Sequence, residues 1–280
     1  MSWLVIPYPQ ISPVAFHIGS LAIRWYALAY SGGLVAIWLI ALALVKRDAY
    51  WNGLDRPKPA SVDYLVLYIL FGTAIGGRLG EALIKPAVYF SHPAEILEVW
   101  HGGGLFFGAM IGTGIAVWIF ARRNQCSFWT ALDICSPGAA LGVGFGRLAN
   151  FINTELWGRP SDLPWAMVFP GAGPLPRHPS QLYEAALEGF LLFVVLVFAI
   201  RAGALKRPGL AAGLFALGYS VTRFFCEFFK APDPDLFSLS LLTMGMLLSI
   251  ATGIASVWVT ALAWRGRLGP RPAERPRTAT

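Results

Sequence analysis

The chain has 280 residues, of which 56% are apolar and only 13% charged, with 11 Trp, 19 Phe and a net charge of +7. Soluble chains carry about 25% charged residues. The balance excludes a water-soluble enzyme, a nucleic-acid-binding module and a disordered chain, and points to a protein that crosses a bilayer several times.

In chain order, the opening MSWLVIPYPQISPVAFHIGS has no basic leader region and is broken by three prolines. It reads as an external or interfacial segment, not a cleaved signal peptide. Seven apolar stretches of spanning length follow, over roughly 19–45, 61–84, 100–120, 128–151, 181–200, 209–229 and 236–264. Open sheet edges cannot be satisfied in lipid, and the short alternating segments of a β-barrel are missing. The fold class expected is therefore all-α: a polytopic bundle of about seven spans, with residues 1–264 as one membrane domain. The basic, proline-bearing tail 265–280 is expected to lack order.

Lys and Arg collect in alternate loops: Lys46, Arg47, Arg56 and Lys58, then Arg122 and Arg123, then Arg201, Lys206 and Arg207, then the tail from Arg265. The opposite loops hold Glu95, Glu98, Glu155, Asp162, Asp233 and Asp235. Basic loops stay cytoplasmic, which puts the N-terminus outside and the C-terminus inside, with anionic headgroups beside the basic loops. The lack of an internal repeat argues against a transporter of inverted halves. Cys126, Cys135 and Cys226 form no CxxC pair, and no Cys/His cluster has metal-ligand spacing, so packing thiols and no metal are expected.

Ionisable residues inside spans carry the information, because each costs roughly 2.5–3.5 kcal/mol at the bilayer centre. Arg78, Glu81, Asp133, Arg147, Glu184, Glu188, Arg223 and Glu227 are of this kind; for Arg78, Asp133 and Glu188 a structural role weighs as much as a functional one. In GVGFGRLANFINTELWG, helical spacing puts Arg147, Asn150 and Asn153 or Thr154 along one stripe, followed by Glu155 and Gly158. A fixed cation with two amides suits a phosphate and its polar neighbours. The competing reading is a polar clamp between helices, with Gly142, Gly144 and Gly146 permitting close approach. In GYSVTRFFCEFFK, Tyr219, Arg223 and Glu227 fall at i, i+4 and i+8, which fits either a second anion contact or a charge-neutralising Arg223–Glu227 bridge. WHGGGLFFGAMIG over 100–112 offers glycine amides to a ligand at Gly102, Gly103 and Gly108. RHPSQLYEA over 177–185 opens the fifth span with Ser180 as an expected N-cap after His178 and Pro179. RWYALAY sets Arg24, Trp25 and Tyr26 at the outer interface, where aromatic belts are common.

Together these segments resemble the prolipoprotein diacylglyceryl transferases, over about Tyr26 to Asp233 and in the family's order. GRLANFINTELWGRP looks like the signature G-R-x-x-N-F-I-N-x-E-x-x-G; RHPSQLYEA, TRFFCEFFKAPD, LPWAMVFP and the GGRLG at 76–80 are similar to further family motifs. The resemblance implies an enzyme of the bacterial inner membrane that uses no cofactor. Such enzymes move the sn-1,2-diacylglyceryl group of phosphatidylglycerol onto the lipobox cysteine of a preprolipoprotein, releasing glycerol 1-phosphate. Its partners would be that lipid, the lipobox segment and the surrounding membrane lipid, with no nucleic acid. By motif match, Arg147 holds the headgroup, Asn150, Asn153, Glu155 and Gly158 shape the site, Tyr26, Tyr219 and Arg223 match further required positions, and Glu227 supports Arg223.

One position departs from the pattern. Aligning Trp100, Gly102, Gly103, Phe106 and Gly108 on the family's W-x-G-G-x-x-F-H-G-G puts Phe107 at the histidine and Ala109 at the last glycine. That histidine is a candidate base in the family, so His101 becomes the remaining candidate in this segment and His178 a second one. The alternative implied is an inactive paralogue that binds lipid or lipoprotein.

Overall fold

The computed structural model describes residues 6–86, 89, 94, 105–231 and 242–269. Seven long helices stand among the described residues: α1 Trp25–Val45, α2 Val62–Ile84, α3 Phe106–Arg123, α4 Phe128–Ile152, α5 Ser180–Arg201, α6 Leu210–Cys226 and α7 Met244–Trp264. They match the seven expected stretches, so the chain is a polytopic helical membrane protein. On length and composition, α1, α2, α5 and α7 are each able to cross a bilayer, and α6 is a shorter apolar helix. Their apolar side chains point outward as well as inward: Leu83, Phe198, Ile254 and Trp258 are all exposed, as lipid-facing surface requires.

Two small sheets qualify the all-α expectation. Val14–Ile18 (β2) pairs antiparallel with Leu21–Arg24 (β3), and Ile6–Pro7 (β1) lies parallel to Met167–Val168 (β4). The first span therefore begins at Trp25 and not near residue 19. Gly19, at φ +61°, makes the two-residue turn with Ser20, a connection short enough only for a hairpin. Tail residues 270–280 lie outside the described part; Leu268, before them, packs against the core.

The largest apolar core sits at the basic-loop end, where Val45, Trp51, Val62, Leu65, Phe120 and Ile134 are buried together. Asp133 belongs to this end and is structural. Its carboxylate accepts from Gly209 N at 2.7 Å and Ala212 N at 2.8 Å, which satisfies the orphan amides opening α6. Arg78 also finds a structural partner, Glu81, at 3.2 Å. The three cysteines are free thiols, with Cys135 and Cys226 buried.

Close helix contacts fall on small residues. In the α2–α3 seam a Cβ on Gly80 would lie 2.9 Å from Gly108 Cα, and the Thr73 and Thr113 hydroxyls meet at 2.6 Å, the small-residue packing that lets helices associate in lipid. Between α4 and α5 a Cβ on Gly144 would stand 3.3 Å from Gly189 Cα. This second approach falls where Ala185–Leu191 widens into a π-helical turn. It brings the last turns of α4 against the first turns of α5, at the end opposite the basic loops.

Candidate active site

Five helices, α1 and α4 to α7, converge on that end. Arg147 lies one turn beyond Gly144, and the close α4–α5 approach hands its guanidinium to two carboxylates of α5. Arg147 Nε stands 3.2 Å from Glu184 Oε2, and Nε and Nη2 both donate to Glu188 Oε2 at 3.2 Å. Arg223 arrives from α6: it hydrogen-bonds Glu184, lies 3.6 Å from Glu188 Oε1, and its Nη2 stands 3.0 Å from Glu227 Oε2. Glu184 thus bridges both arginines. At the N-cap of α7, Thr243 donates its hydroxyl to Glu227 Oε1 at 2.9 Å, and Gly245, in the first turn, leaves room for that carboxylate, 2.6 Å from where a Cβ would stand.

The electrostatics of this cluster differ from a bare pair of cations. Two guanidiniums against three carboxylates leave one negative charge in excess when all are ionised. The arrangement has an inner and an outer side. Side chains of Glu184 and Glu188 are fully buried, whereas those of Arg147 and Arg223 keep 17% and 14% of their surface open. The carboxylates thus hold the guanidinium forks from behind, and Arg147 Nη1 has no partner among the described residues. A buried arginine without such counter-charges would be prohibitive in a low-dielectric bundle.

Beside the cluster, Asn150 donates its amide to the Tyr26 hydroxyl from α1. The helix ends at Ile152, and the chain turns through Thr154 and Leu156 at φ +55° and +56°, a conformation non-glycine residues adopt only when their surroundings hold it. That turn directs Glu155 back: its amide donates to Asn150 O at 3.1 Å, its carboxylate accepts from Asn153 Nδ2 at 3.2 Å and its carbonyl accepts from Gln181 Nε2 at 2.6 Å. Gly158 then pairs with the segment before α5, donating to His178 O at 3.0 Å while Arg159 N donates to Phe229 O at 2.8 Å. The His178 ring packs edge-on against Tyr183 and Phe229, and this burial holds the imidazole below its ordinary pKa, hence neutral at pH 7. Tyr219, one turn before Arg223, stacks on Phe215 and lies in the field of Glu188 and both arginines.

The structure thus gathers Tyr26, Arg147, Asn150, Asn153, Glu155, Gly158, His178, Tyr219, Arg223 and Glu227 at one end of the bundle. Three expectations change in detail. Arg147, Asn150 and Asn153 are not bare donors along a stripe; each already has a protein partner, Glu188, Tyr26 and Glu155 respectively. Ser180 is not an N-cap: Pro179 occupies that place, and Ser180 Oγ donates to Leu156 O at 3.0 Å. Gly108 packs on Gly80 in the α2–α3 seam, and Phe107 lines an apolar groove of about 910 Å³ between the same helices. His101, Gly102 and Gly103 lie outside the described residues. Sequence reasoning left Glu184 and Glu188 without partners and passed over Gln181. Charge balance was the available signal, since two intramembrane arginines need carboxylates and an i, i+4 pair of them stands in the fifth span.

Comparison with known proteins agrees in scope. The family model described as prolipoprotein diacylglyceryl transferase matches residues 13–262. A phosphatidylglycerol–prolipoprotein diacylglyceryl transferase of Methylocella silvestris is 52% identical over 95% of this chain and 98% of its own. Its namesake from Nitrobacter hamburgensis is 49% identical over 96% and 93%, and that of Rhizobium meliloti 45% identical over 92% and 94%.

Proposed function

The chain belongs to the prolipoprotein diacylglyceryl transferase family, and from that premise we propose how its own residues carry out the reaction. It is a transferase that moves diacylglyceryl from phosphatidylglycerol to a prolipoprotein. The lipobox thiol sulfur attacks the glycerol carbon of the lipid, and the bond from that carbon to the phosphate oxygen breaks. A thioether forms, glycerol 1-phosphate leaves, and the thiol proton passes to a basic group of the site. Negative charge grows on the departing phosphate, so donors aimed there stabilise the transition state more than the ground state.

The observation that carries this reading is the sided cluster: carboxylates buried behind Arg147 and Arg223, with the guanidinium edges open. The phosphate docks on those open edges, and Arg147 Nη1 is the donor in waiting. Pre-paired carboxylates keep both forks in place, so little reorganisation is needed as charge develops. Tyr26, Asn150, Asn153 and Glu155 line the neighbouring polar face. Gly158 and His178 hold the 155–160 turn against α5, and Tyr219 closes the far side. Residues 1–264 act as one membrane domain, placed in the bacterial inner membrane with this end outside.

Purified protein, phosphatidylglycerol and a synthetic lipobox peptide, read by mass spectrometry, should yield the diacylglyceryl adduct. An adduct from the wild-type chain also disposes of the inactive paralogue, because it shows turnover with Phe107 in place; none from folded protein would overturn the transferase reading. Orientation is tested separately. Reporters fused after Arg123 and Arg207 should register cytoplasm and one after Asp162 the outside, and reversed signals would put the cluster on the wrong face for an exported lipobox.

A further inference from the structure

Seven buried polar side-chain atoms among the described residues lack a hydrogen-bond partner, and five are acceptor oxygens of this one site: Asn153 Oδ1, Gln181 Oε1, Glu184 Oε2, Glu188 Oε1 and Glu227 Oε2. The three carboxylate oxygens lie at ion-pair distance from the arginines. The two amide oxygens have no such compensation. A buried acceptor left unmade costs about 1–3 kcal/mol, so two beside one site point to a ligand that brings hydrogens.

Their identity as oxygens follows from chemistry. Gln181 turns one end of its amide to the Glu155 carbonyl, and Asn153 turns one end to the Glu155 carboxylate. Both partners only accept, so each facing atom is the NH2 group and the free atom is the carbonyl oxygen. Glu155 thus sets both amides with their acceptors free. Gln181 is completely buried and sits three and seven residues before Glu184 and Glu188, on the face of α5 that meets the arginines. A phosphate, itself only an acceptor, cannot satisfy these atoms. Hydroxyl groups can.

We propose that Gln181, with Asn153, reads the hydroxyls of the lipid's glycerol headgroup and so selects phosphatidylglycerol among anionic phospholipids of equal charge. This rests on the transferase reading above: the arginines take the phosphate, and the amides take the alcohol that leaves with it. The role is in binding, because the headgroup hydroxyls stay intact through the reaction.

The test compares phosphatidylglycerol with phosphatidylethanol of the same acyl chains, whose headgroup has the same charge and no hydroxyl. Both donors give the same peptide adduct, so one mass-spectrometric assay of the full chain reads both. Wild-type KM should be about tenfold higher for phosphatidylethanol, with kcat similar. Gln181→Leu should raise KM for phosphatidylglycerol about tenfold and leave that for phosphatidylethanol within about twofold. Equal use of the two lipids by wild type overturns the proposal whatever the variant does, since water then serves the amides. Equal slowing of both lipids in a folded variant overturns it in favour of a structural glutamine. Absence of any adduct from phosphatidylglycerol overturns the transferase reading and this one with it.

Discussion

Arg147→Lys lowers the rate of diacylglyceryl transfer by about 10²–10³-fold while the protein stays folded. Lysine keeps the charge, so Glu184 and Glu188 retain a cation between them. It cannot present Nε and Nη2 to Glu188 together and still leave Nη1 for a ligand, because an ammonium is a point donor and not a planar fork. Arg147→Ala is expected to fail differently. Two fully buried carboxylates then keep Arg223 alone as counter-charge, and breaking a buried pair by removing one partner costs about 3–5 kcal/mol. The alanine variant should therefore lose stability as well as activity. Initial rates by adduct mass, beside thermal unfolding in detergent, separate the two. A lysine variant that keeps more than about a tenth of wild-type activity would show that charge suffices and geometry does not matter.

Gly158→Ala is the second large effect, expected to reduce transfer at least about 10²-fold and to cost about 1–3 kcal/mol of stability. A Cβ there would stand 2.6 Å from His178 Cβ, His178 O and Phe229 O. Two of those three atoms are backbone, so no rotamer change relieves the clash. The chain has to part where Gly158 N meets His178 O and Arg159 N meets Phe229 O. Parting carries the 155–160 turn away from α5, and with it the Glu155 carbonyl that orients Gln181. Gly146→Ala is the matched control: a Cβ at that position meets nothing within 4 Å, although it adjoins Arg147, and helix propensity favours the change. Adduct formation and unfolding midpoints of the two variants should differ sharply; similar values would mean that the 158–178 junction yields without harm to the site.

Much of the bundle is legible in the sequence. Apolar runs of spanning length appear as seven helices because in lipid a continuous apolar segment has only one way to satisfy its backbone. The boundary at residue 25 was not legible. Leu21–Arg24 continues the apolar run of α1, and only its pairing with Val14–Ile18 makes it a strand. Hydropathy does not register such pairing, and a Gly19–Ser20 turn inside an apolar stretch was the weak sign of it.

Within the site, the residues the chain names by itself are those whose chemistry is out of place in a membrane: Arg147, Arg223 and Glu227 inside spans, and the Asn150–Asn153–Glu155 run at a helix end. Composition and order alone determined the membrane class, the family and this set of side chains. What they touch was decided by tertiary structure. Arg147 meets Glu188 across 41 residues of chain and Arg223 meets Glu184 across 39, and such pairings depend on how closely α4 can approach α5 through Gly144 and Gly189. Spacing along one helix reveals a shared face, and with it the Arg223–Glu227 pair, but not the helix opposite, so the contacts of both arginines with Glu184 and Glu188 stayed hidden until the bundle closed around them. In a low-dielectric interior the long-range carboxylates are obligatory, and they turn two isolated charges into a sided site.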